Sequence, residues 1–317
     1  MERVIKMEEE LICYFNGNYM KPDEVKIPLR EIFLQRGAAV FDVARTYNHV
    51  PFFWEKNIAR LYRSLSYYID PGLTPEEMLS ISYEVLERNK KKLDPGDDVT
   101  MVQLVIAAPT GPYFIGRPTH PTVLVMCFPL SPRYEGHAKN YREGIHLVVA
   151  NTRQIPPQCI DPRVKHTSRW CNQLADFEAK VVDPEAWALM LDVNGLVAEG
   201  PGFNCFMVKD GKLFTSKLGT ILEGITRGTV LRLAKELGIE SAEKDLYVYD
   251  FYNADEIFVT GCSYAICPVA KFNVKVLPKP IPGSITQQLL SAFSKLAGVD
   301  IVERVQHVIS YPKAEAK

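Results

Sequence analysis

Apolar positions along the chain fall into two rhythms. One suits extended strands with a buried face. The other recurs every third or fourth residue and marks helices with an apolar stripe. A strand signal opens in LICYFNGNYM, where Asn16-Gly17 is a tight hairpin pair. NIARLYRSLSYYI follows, with Ile58, Leu61, Leu65 and Tyr68 at helical spacing. Thr74-Pro75-Glu76-Glu77 begins another helix: Thr74 caps, Pro75 suits the first turn and Glu77 completes a capping box. VTMVQLVIAA and PTVLVMCFPL then read as strands.

SPRYEGHAKN is polar and contains Pro132 and Gly136, so it reads as a linker. After it come a strand, EGIHLVVANT, and a helix, TSRWCNQLADFEAKVVD. AWALMLDVNGLVAEG turns at Asn194-Gly195, and FNCFMVKDGKLFTS turns at Asp210-Gly211. ITRGTVLRLAKELGI is an amphipathic helix closed by Gly238. ADEIFVTGCSYAICPVA runs from a strand into a glycine turn, and TQQLLSAFSKLAG is a final helix. The many hairpins predict an α+β fold rather than a doubly wound sheet. The expected division is a domain over 1–130, a linker over 131–140 and a domain over 141–317.

Composition narrows the class. The 317 residues suit one large or two ordinary domains, and 47% hydrophobic with 24% charged residues is ordinary for a globular protein. A formal net charge of -1 gives nucleic acid or an acidic membrane surface no electrostatic hold. No apolar run reaches the roughly 20 residues of a membrane span. The opening MERVIKMEEELICYF is too charged for a signal peptide's apolar core, so a cytoplasmic protein is expected. The seven cysteines form no CxxC pair, and the six histidines form no pair at metal spacing, so no metal is expected. GxGxxG after a strand, GxxxxGK[ST], GxSxG and HExxH are all absent.

Pyridoxal 5′-phosphate (PLP) chemistry would need an imine-forming lysine, an acid beside the pyridine nitrogen, and backbone and cationic donors for a phosphate, and the chain offers a candidate for each. Lys165 lies in DPRVKHTSRW, just before a helix, and Glu199 lies in LVAEGPGFNCF, where a strand meets a small-residue turn. In EGITRGTVLRLAKELG, Gly224 precedes a helix whose first amides, those of Ile225 and Thr226, suit an anion. Arg60, on the early helix, can supply a cation. Each is unremarkable singly: a lysine is usually solvated, and a glycine before a helix is usually a turn. Residue types and spacing alone leave a soluble α+β enzyme or a binding domain open.

The order of the motifs goes further. GAAVFDVARTY, the helix with ARL, VKHTSRW, LDVNGLVAEGPGFNCFMVKDGKLFT with ILEGITR, and ADEIFVTG followed by PV stand in one sequence. In this the chain resembles the fold-type IV PLP enzymes: branched-chain aminotransferases, D-amino acid aminotransferases, (R)-amine transaminases and aminodeoxychorismate lyases. The resemblance spans most of the chain, from about residue 15 to residue 272. It implies a small N-terminal α/β domain, a larger C-terminal pseudo-barrel domain, and a homodimer whose sites use both subunits. It implies Lys165 as the Schiff-base lysine, Glu199 as the partner of the pyridine nitrogen, and Arg60 with the Ile225 and Thr226 amides as the phosphate site. Trp170 stands where many members carry a tyrosine near the cofactor.

Departures from the family's pattern bear on substrate. Cys262 stands where members usually have a threonine that contacts the phosphate; a thiol is a poorer donor, and Ser263 beside it can compensate. Gln103 is the nearest match to the arginine with which bacterial branched-chain enzymes grip glutamate, and a neutral amide cannot replace a bidentate guanidinium. Arg36 and Arg45 are the other candidate cations, each with a surface ion pair as the plainer reading. Val43 stands where branched-chain enzymes usually have glycine, which leans towards the (R)-amine group. Phe33, Phe41, Phe52, Phe53 and Trp54 form an apolar series that lines a substrate pocket or, for most of them, packs the core. The expected reaction moves an amino group between a hydrophobic amino acid or (R)-amine and a 2-oxo acid. The alternatives are a lyase of the aminodeoxychorismate type, a D-amino acid aminotransferase, and a non-catalytic binding protein on the same fold.

Overall fold

The structure is a computed structural model, and it describes residues 11–27, 34, 36–67, 69–94, 96–107 and 121–310, with the side chains of 307–310 excepted. Phe33, Tyr68 and His120 lie outside the described residues. The chain divides into two compact units, residues 1–132 with 164–169, and residues 133–163 with 170–317.

The first unit is an antiparallel sheet with helices on one face. Its strands are β1 (Cys13–Phe15), β2 (Asn18–Met20), β3 (Ala39–Tyr47), β4 (Val50–Phe52), β5 (Val99–Ile106) and β6 (Thr122–Pro129), in spatial order β2-β1-β6-β5-β3-β4. Asn16 and Gly17 hold φ of 45° and 92°, the left-handed pair that a two-residue hairpin turn requires. Helix α1 (Trp54–Leu65) buries Trp54, Ile58, Leu61 and Leu65. Helix α2 (Pro75–Asn89) begins at the Thr74 capping box: Glu77 N–H donates to Thr74 Oγ1 at 3.2 Å and Thr74 N–H donates to Glu77 Oε2 at 2.7 Å. Both helices pack on Val40, Ala44, Met101, Val105 and Val125 from the sheet.

Asp97 ties the end of this unit together. It is fully buried, and its Oδ1 accepts from the amides of Asp98 at 2.7 Å and Ser131 at 3.0 Å, while Oδ2 accepts from Ser131 Oγ at 2.6 Å. Burial outweighs these bonds and raises its pKa above the ordinary carboxylate value. The folded state therefore holds the proton more tightly than the unfolded one. That contribution is full below the ordinary value and is lost as pH rises through the raised one. Asp97→Asn keeps the size and an acceptor oxygen. Its Tm should exceed that of the parent at neutral pH and change less between about pH 4 and pH 8; a parallel pair of Tm curves would refute the assignment.

The second unit is a mixed sheet flanked by helices. Strands β7 (Ile145–Arg153), β8 (Trp187–Leu191), β10 (Phe203–Lys209), β11 (Lys212–Ser216), β12 (Ser241–Lys244), β13 (Glu256–Gly261) and β14 (Ala265–Phe272) lie in the order β12-β11-β10-β13-β14-β7-β8. The short β9 (Glu199–Gly200) pairs with β10, and β15 (Lys275–Val276) pairs with β14. The pairs β11/β12, β14/β7 and β7/β8 are parallel and the rest antiparallel, so the mixed architecture is present. Among the described residues no helix is long and apolar enough to cross a membrane.

Two features depart from the sequence reading. Residues 131–140 do not form an open connection: after a 3-10 turn over Ser131–Arg133 they enter helix α3 (Tyr134–Glu143). Tyr134, His137, Ala138 and Tyr141 are buried at helical spacing, an apolar stripe hidden by the polar residues between. Residues 164–169 group with the first unit and not with residues 141–163. The reason is backbone hydrogen bonding: Phe41 N–H donates to Lys165 O at 2.9 Å and Thr167 N–H donates to Ala39 O at 3.0 Å. The remaining helices are α4 (Trp170–Val182), α5 (Ile225–Glu236), α6 (Val248–Tyr252), α7 (Ser284–Ala297) and α8 (Ile301–Ser310).

Candidate active site

In the first unit, β3 presents different chemistry on its two faces because successive side chains alternate. Val40, Asp42 and Ala44 are buried against the helices, while Phe41 and Val43 are half-buried on the other face. Directly paired residues on neighbouring strands point the same way. Leu104 therefore joins Phe41, Val102 joins Val43, and Met126 follows Val102. These five half-buried residues make one continuous apolar face.

Gln103 pairs with Asp42 and so lies on the opposite face. It is fully buried and donates from Nε2 to Ser82 Oγ at 3.0 Å. The structure does not bring it together with Phe41 and Val43. The residue of β5 on their face is Val102, one position earlier. Neither arginine candidate adds a cation to the centre of this face. Arg45 is buried near the strand end; its Nε donates to Thr46 O at 2.9 Å, Nη2 is 3.8 Å from Asp98 Oδ2, and the guanidinium stacks 3.8 Å over Tyr47. Arg36 is exposed, and its carbonyl accepts from Ser168 Oγ at 3.3 Å.

Lys165 comes to the apolar face through its backbone. Residues 165–167 lie along β3 at its free edge, with an antiparallel bridge between His166 and Val40. Lys165 N–H donates to Ser64 Oγ at 3.1 Å. The Lys165 ammonium stands 4.5 Å from the Phe41 ring centroid. His166 alternates to the other side. Burial, with Arg169 and Lys165 adding to it, lowers its pKa below the ordinary imidazole value.

Arg60 is gripped from behind by Asp42. Arg60 Nε donates to Asp42 Oδ2 and Nη2 donates to Oδ1, both at 2.8 Å, and Asn57 Nδ2 adds a third bond to Oδ1 at 2.8 Å. This bidentate pair is buried on both sides. Removing one partner strands the other's charge in the interior, at a cost of about 3 kcal/mol or more. Arg60→Ala should lower the unfolding free energy by about that much in urea titrations, and adding Asp42→Ala should recover part of the loss. Additive losses would show that the two are not coupled.

In the second unit, β9 and β10 pair Glu199 with Asn204 across a tight turn. Glu199 is buried, and its carboxylate accepts from Asn204 Nδ2 at 2.8 Å, Leu222 N–H at 3.0 Å and Gln154 Nε2 at 3.1 Å. Three N–H donors favour a charged carboxylate. Asn204 Nδ2 also donates to Leu222 O at 3.1 Å, which joins the acid to the turn before α5. A Cβ on Gly224 would overlap Asn204 Oδ1, so the turn closes this tightly only with glycine. No side chain caps α5 at Gly224, which leaves the amides of Ile225 and Thr226 at an uncapped, dipole-positive helix start. Cys262 and Ser263 are partly exposed in the turn between β13 and β14. Thr260 pairs with Asn204, is buried, and has no hydrogen-bond partner for Oγ1 among the described residues. Trp170 opens α4 and is 69% exposed.

Asp42, Ser64, Gln154, Asn204 and Thr260 were not picked out from sequence. Asn204 alone carried a usable signal, because EGPGFN is a short strand, a Pro-Gly turn and a return that puts Glu199 opposite Asn204. The others reach the site through contacts between distant parts of the chain.

One unit holds a lysine on an apolar sheet face, and the other holds a buried acid and an uncapped helix start. The profile of the family described as Amino-transferase class IV matches residues 39–272, and the chain belongs to that family. A Methanocaldococcus jannaschii protein, named with provisional standing as a branched-chain-amino-acid aminotransferase, is 33% identical over 290 residues, covering 89% of this chain and 95% of its own. The branched-chain aminotransferase of Thermoproteus uzoniensis, solved with norvaline, superposes with a TM-score of 0.81 at 26% identity, covering 91% of this chain and 95% of that one. A T.th. branched-chain amino acid aminotransferase, complexed with N-(5′-phosphopyridoxyl)-L-glutamate, gives 0.79 at 25% identity, covering 91% and 94%. The protein is a PLP-dependent aminotransferase of fold-type IV. The residues present fit that cofactor: an amine on an apolar face, a hydrogen-bonded acid, uncapped helix amides, and the orphaned Thr260 hydroxyl.

Proposed function

We propose that Lys165 attaches the cofactor and that the substrate side chain lies on the apolar face of Phe41, Val43, Val102 and Leu104. The observation carrying this reading is the Lys165 ammonium over the Phe41 ring, on the same face as those residues. Glu199 would pair with the pyridine nitrogen, and Arg60 and the Ile225 and Thr226 amides are the candidate donors to the phosphate. When bound, PLP supplies an electron sink that stabilises negative charge on the substrate Cα. The Lys165 amine would be the group that takes and returns a proton at the substrate Cα. The Glu199 carboxylate, oriented by its three N–H donors, would keep that sink charged. Cys262, Ser263 and Trp170 are candidates to border the cofactor or substrate; Arg36 is the candidate for a substrate carboxylate.

The donor is a hydrophobic amino acid of the branched-chain kind or its amine analogue, and the acceptor is a 2-oxo acid. This follows from the aliphatic and aromatic character of Phe41, Val43, Val102 and Leu104, with Lys165 assigned to the cofactor and Arg169 standing 6.0 Å from the Phe41 ring centroid. The test is a half-reaction screen in which L-leucine, D-alanine, L-glutamate and (R)-1-phenylethylamine are mixed singly with the PLP-loaded protein. L-Leucine or the aromatic amine should convert the cofactor to pyridoxamine phosphate fastest. Faster conversion by L-glutamate would overturn the apolar reading. Release of pyruvate from an aminodeoxychorismate-type substrate without an acceptor would favour a lyase.

The same reading makes the protein a homodimer in the cytoplasm. Helix α4 supports the first part: Ala175 and Ala179 pack inwards, while Trp170, Leu174, Phe177 and Val181 form an exposed apolar stripe. The seven free cysteines support the second. Light scattering at the monomer mass would remove the dimer.

A further inference from the structure

Four hydrogen-bonded links and one peptide bond close a ring in the first unit. The Asp42 carboxylate grips Arg60 through Nε and Nη2 at 2.8 Å each. One turn along α1, Ser64 Oγ donates to the Arg60 carbonyl at 3.1 Å. The same oxygen accepts from Lys165 N–H at 3.1 Å. The Lys165 carbonyl accepts from Phe41 N–H at 2.9 Å. Phe41 and Asp42 are neighbours in sequence, so the chain of contacts returns to its start.

Ser64 is the joint of this ring. A serine inside a helix commonly bonds back to the carbonyl four residues earlier, as Ser82 does to Met78 O at 2.8 Å. The second partner of Ser82 is the buried side chain of Gln103. The second partner of Ser64 is the backbone of Lys165, 101 residues away in sequence. Ser64 is 2% exposed, so water does not stand in for its hydroxyl. One oxygen thus connects the helix that carries Arg60 with the segment that carries Lys165.

We propose that Ser64 is a positioning residue that presets the spacing between the Lys165 amine and the Arg60 guanidinium. The inference rests on the roles given above to those two residues. A molecule held at both ends binds more tightly when the two holds are fixed at its own length, because the second contact then costs little further ordering. Loosening the joint leaves each hold intact but lowers the advantage of having both. The phosphate of PLP supplies the second hold, and pyridoxal lacks it.

The experiment compares dissociation constants of PLP and pyridoxal for the cofactor-free protein by absorbance titration. The quantity read is the ratio between them, the advantage that the phosphate gives. In Ser64→Ala the ratio should fall roughly tenfold, the scale of one buried hydrogen bond removed with its donor left unpaired. Ser64→Thr keeps the hydroxyl and should restore it. If the alanine variant does not fold, Ser64→Cys carries the measurement, since a thiol is a weak acceptor and the same fall is expected. A purely structural role would weaken both ligands alike and leave the ratio unchanged. An unchanged ratio in the alanine or cysteine variant overturns the inference, and so does an equal fall in the threonine variant. Lys165→Ala, run alongside, separates the two readings. If it binds pyridoxal as tightly as the parent, the role of Lys165 itself is wrong. If it loses pyridoxal while Ser64→Ala keeps the ratio, only the role of Ser64 is wrong.

Discussion

Lys165→Ala should abolish amino transfer, with kcat down by about four orders of magnitude or more. A positioned proton carrier accounts for about 10²- to 10⁴-fold by itself, and the same residue also supplies the covalent attachment. The loss should come without unfolding. The backbone at position 165 is held by Ser64 Oγ and Phe41 N–H, and neither contact involves the side chain. The parent, reduced with borohydride in the presence of PLP, should carry a pyridoxyl group on the peptide containing Lys165; the variant should carry none. Near-normal turnover by the variant, with an unchanged far-ultraviolet spectrum, would end the assignment.

Glu199→Gln should cost about 10²- to 10³-fold in kcat, the usual scale for removing one preorganised charge from a reacting centre. The substitution also breaks local satisfaction. Asn204 Nδ2, Leu222 N–H and Gln154 Nε2 all donate to the carboxylate. An amide offers them one oxygen and turns an NH₂ group towards the rest. Glu199→Asp, which keeps the charge on a shorter arm, should recover part of the rate. A glutamine variant with parental kcat would mean that the pyridine nitrogen needs no acid at this position.

How much of this was visible in the sequence depends on how local each cause is. The Asn16-Gly17 hairpin and the Thr74 box are set by residues three or fewer apart, and both appear as read. The face on which Gln103 lies is not local. VTMVQLVI is apolar at almost every position because both faces of β5 are covered or half-covered, so period-two reasoning has no contrast to use. A slip of one residue then exchanges Gln103 for Val102, and only the pairing with Asp42 and Val43 decides between them. Helix α3 was masked differently: Pro132 and Gly136 signalled a loop, while Tyr134, His137, Ala138 and Tyr141 already carried the helical period. The partners of Glu199 lie 45, 5 and 23 residues away, so the sequence offered the acid without its setting.

The buried pair of Asp42 and Arg60 bears on how the first unit balances its charge. A guanidinium sunk in a protein interior without an anionic partner would weigh on the fold. Asp42 already neutralises this one, so the charge balance of the first unit does not depend on an outside anion.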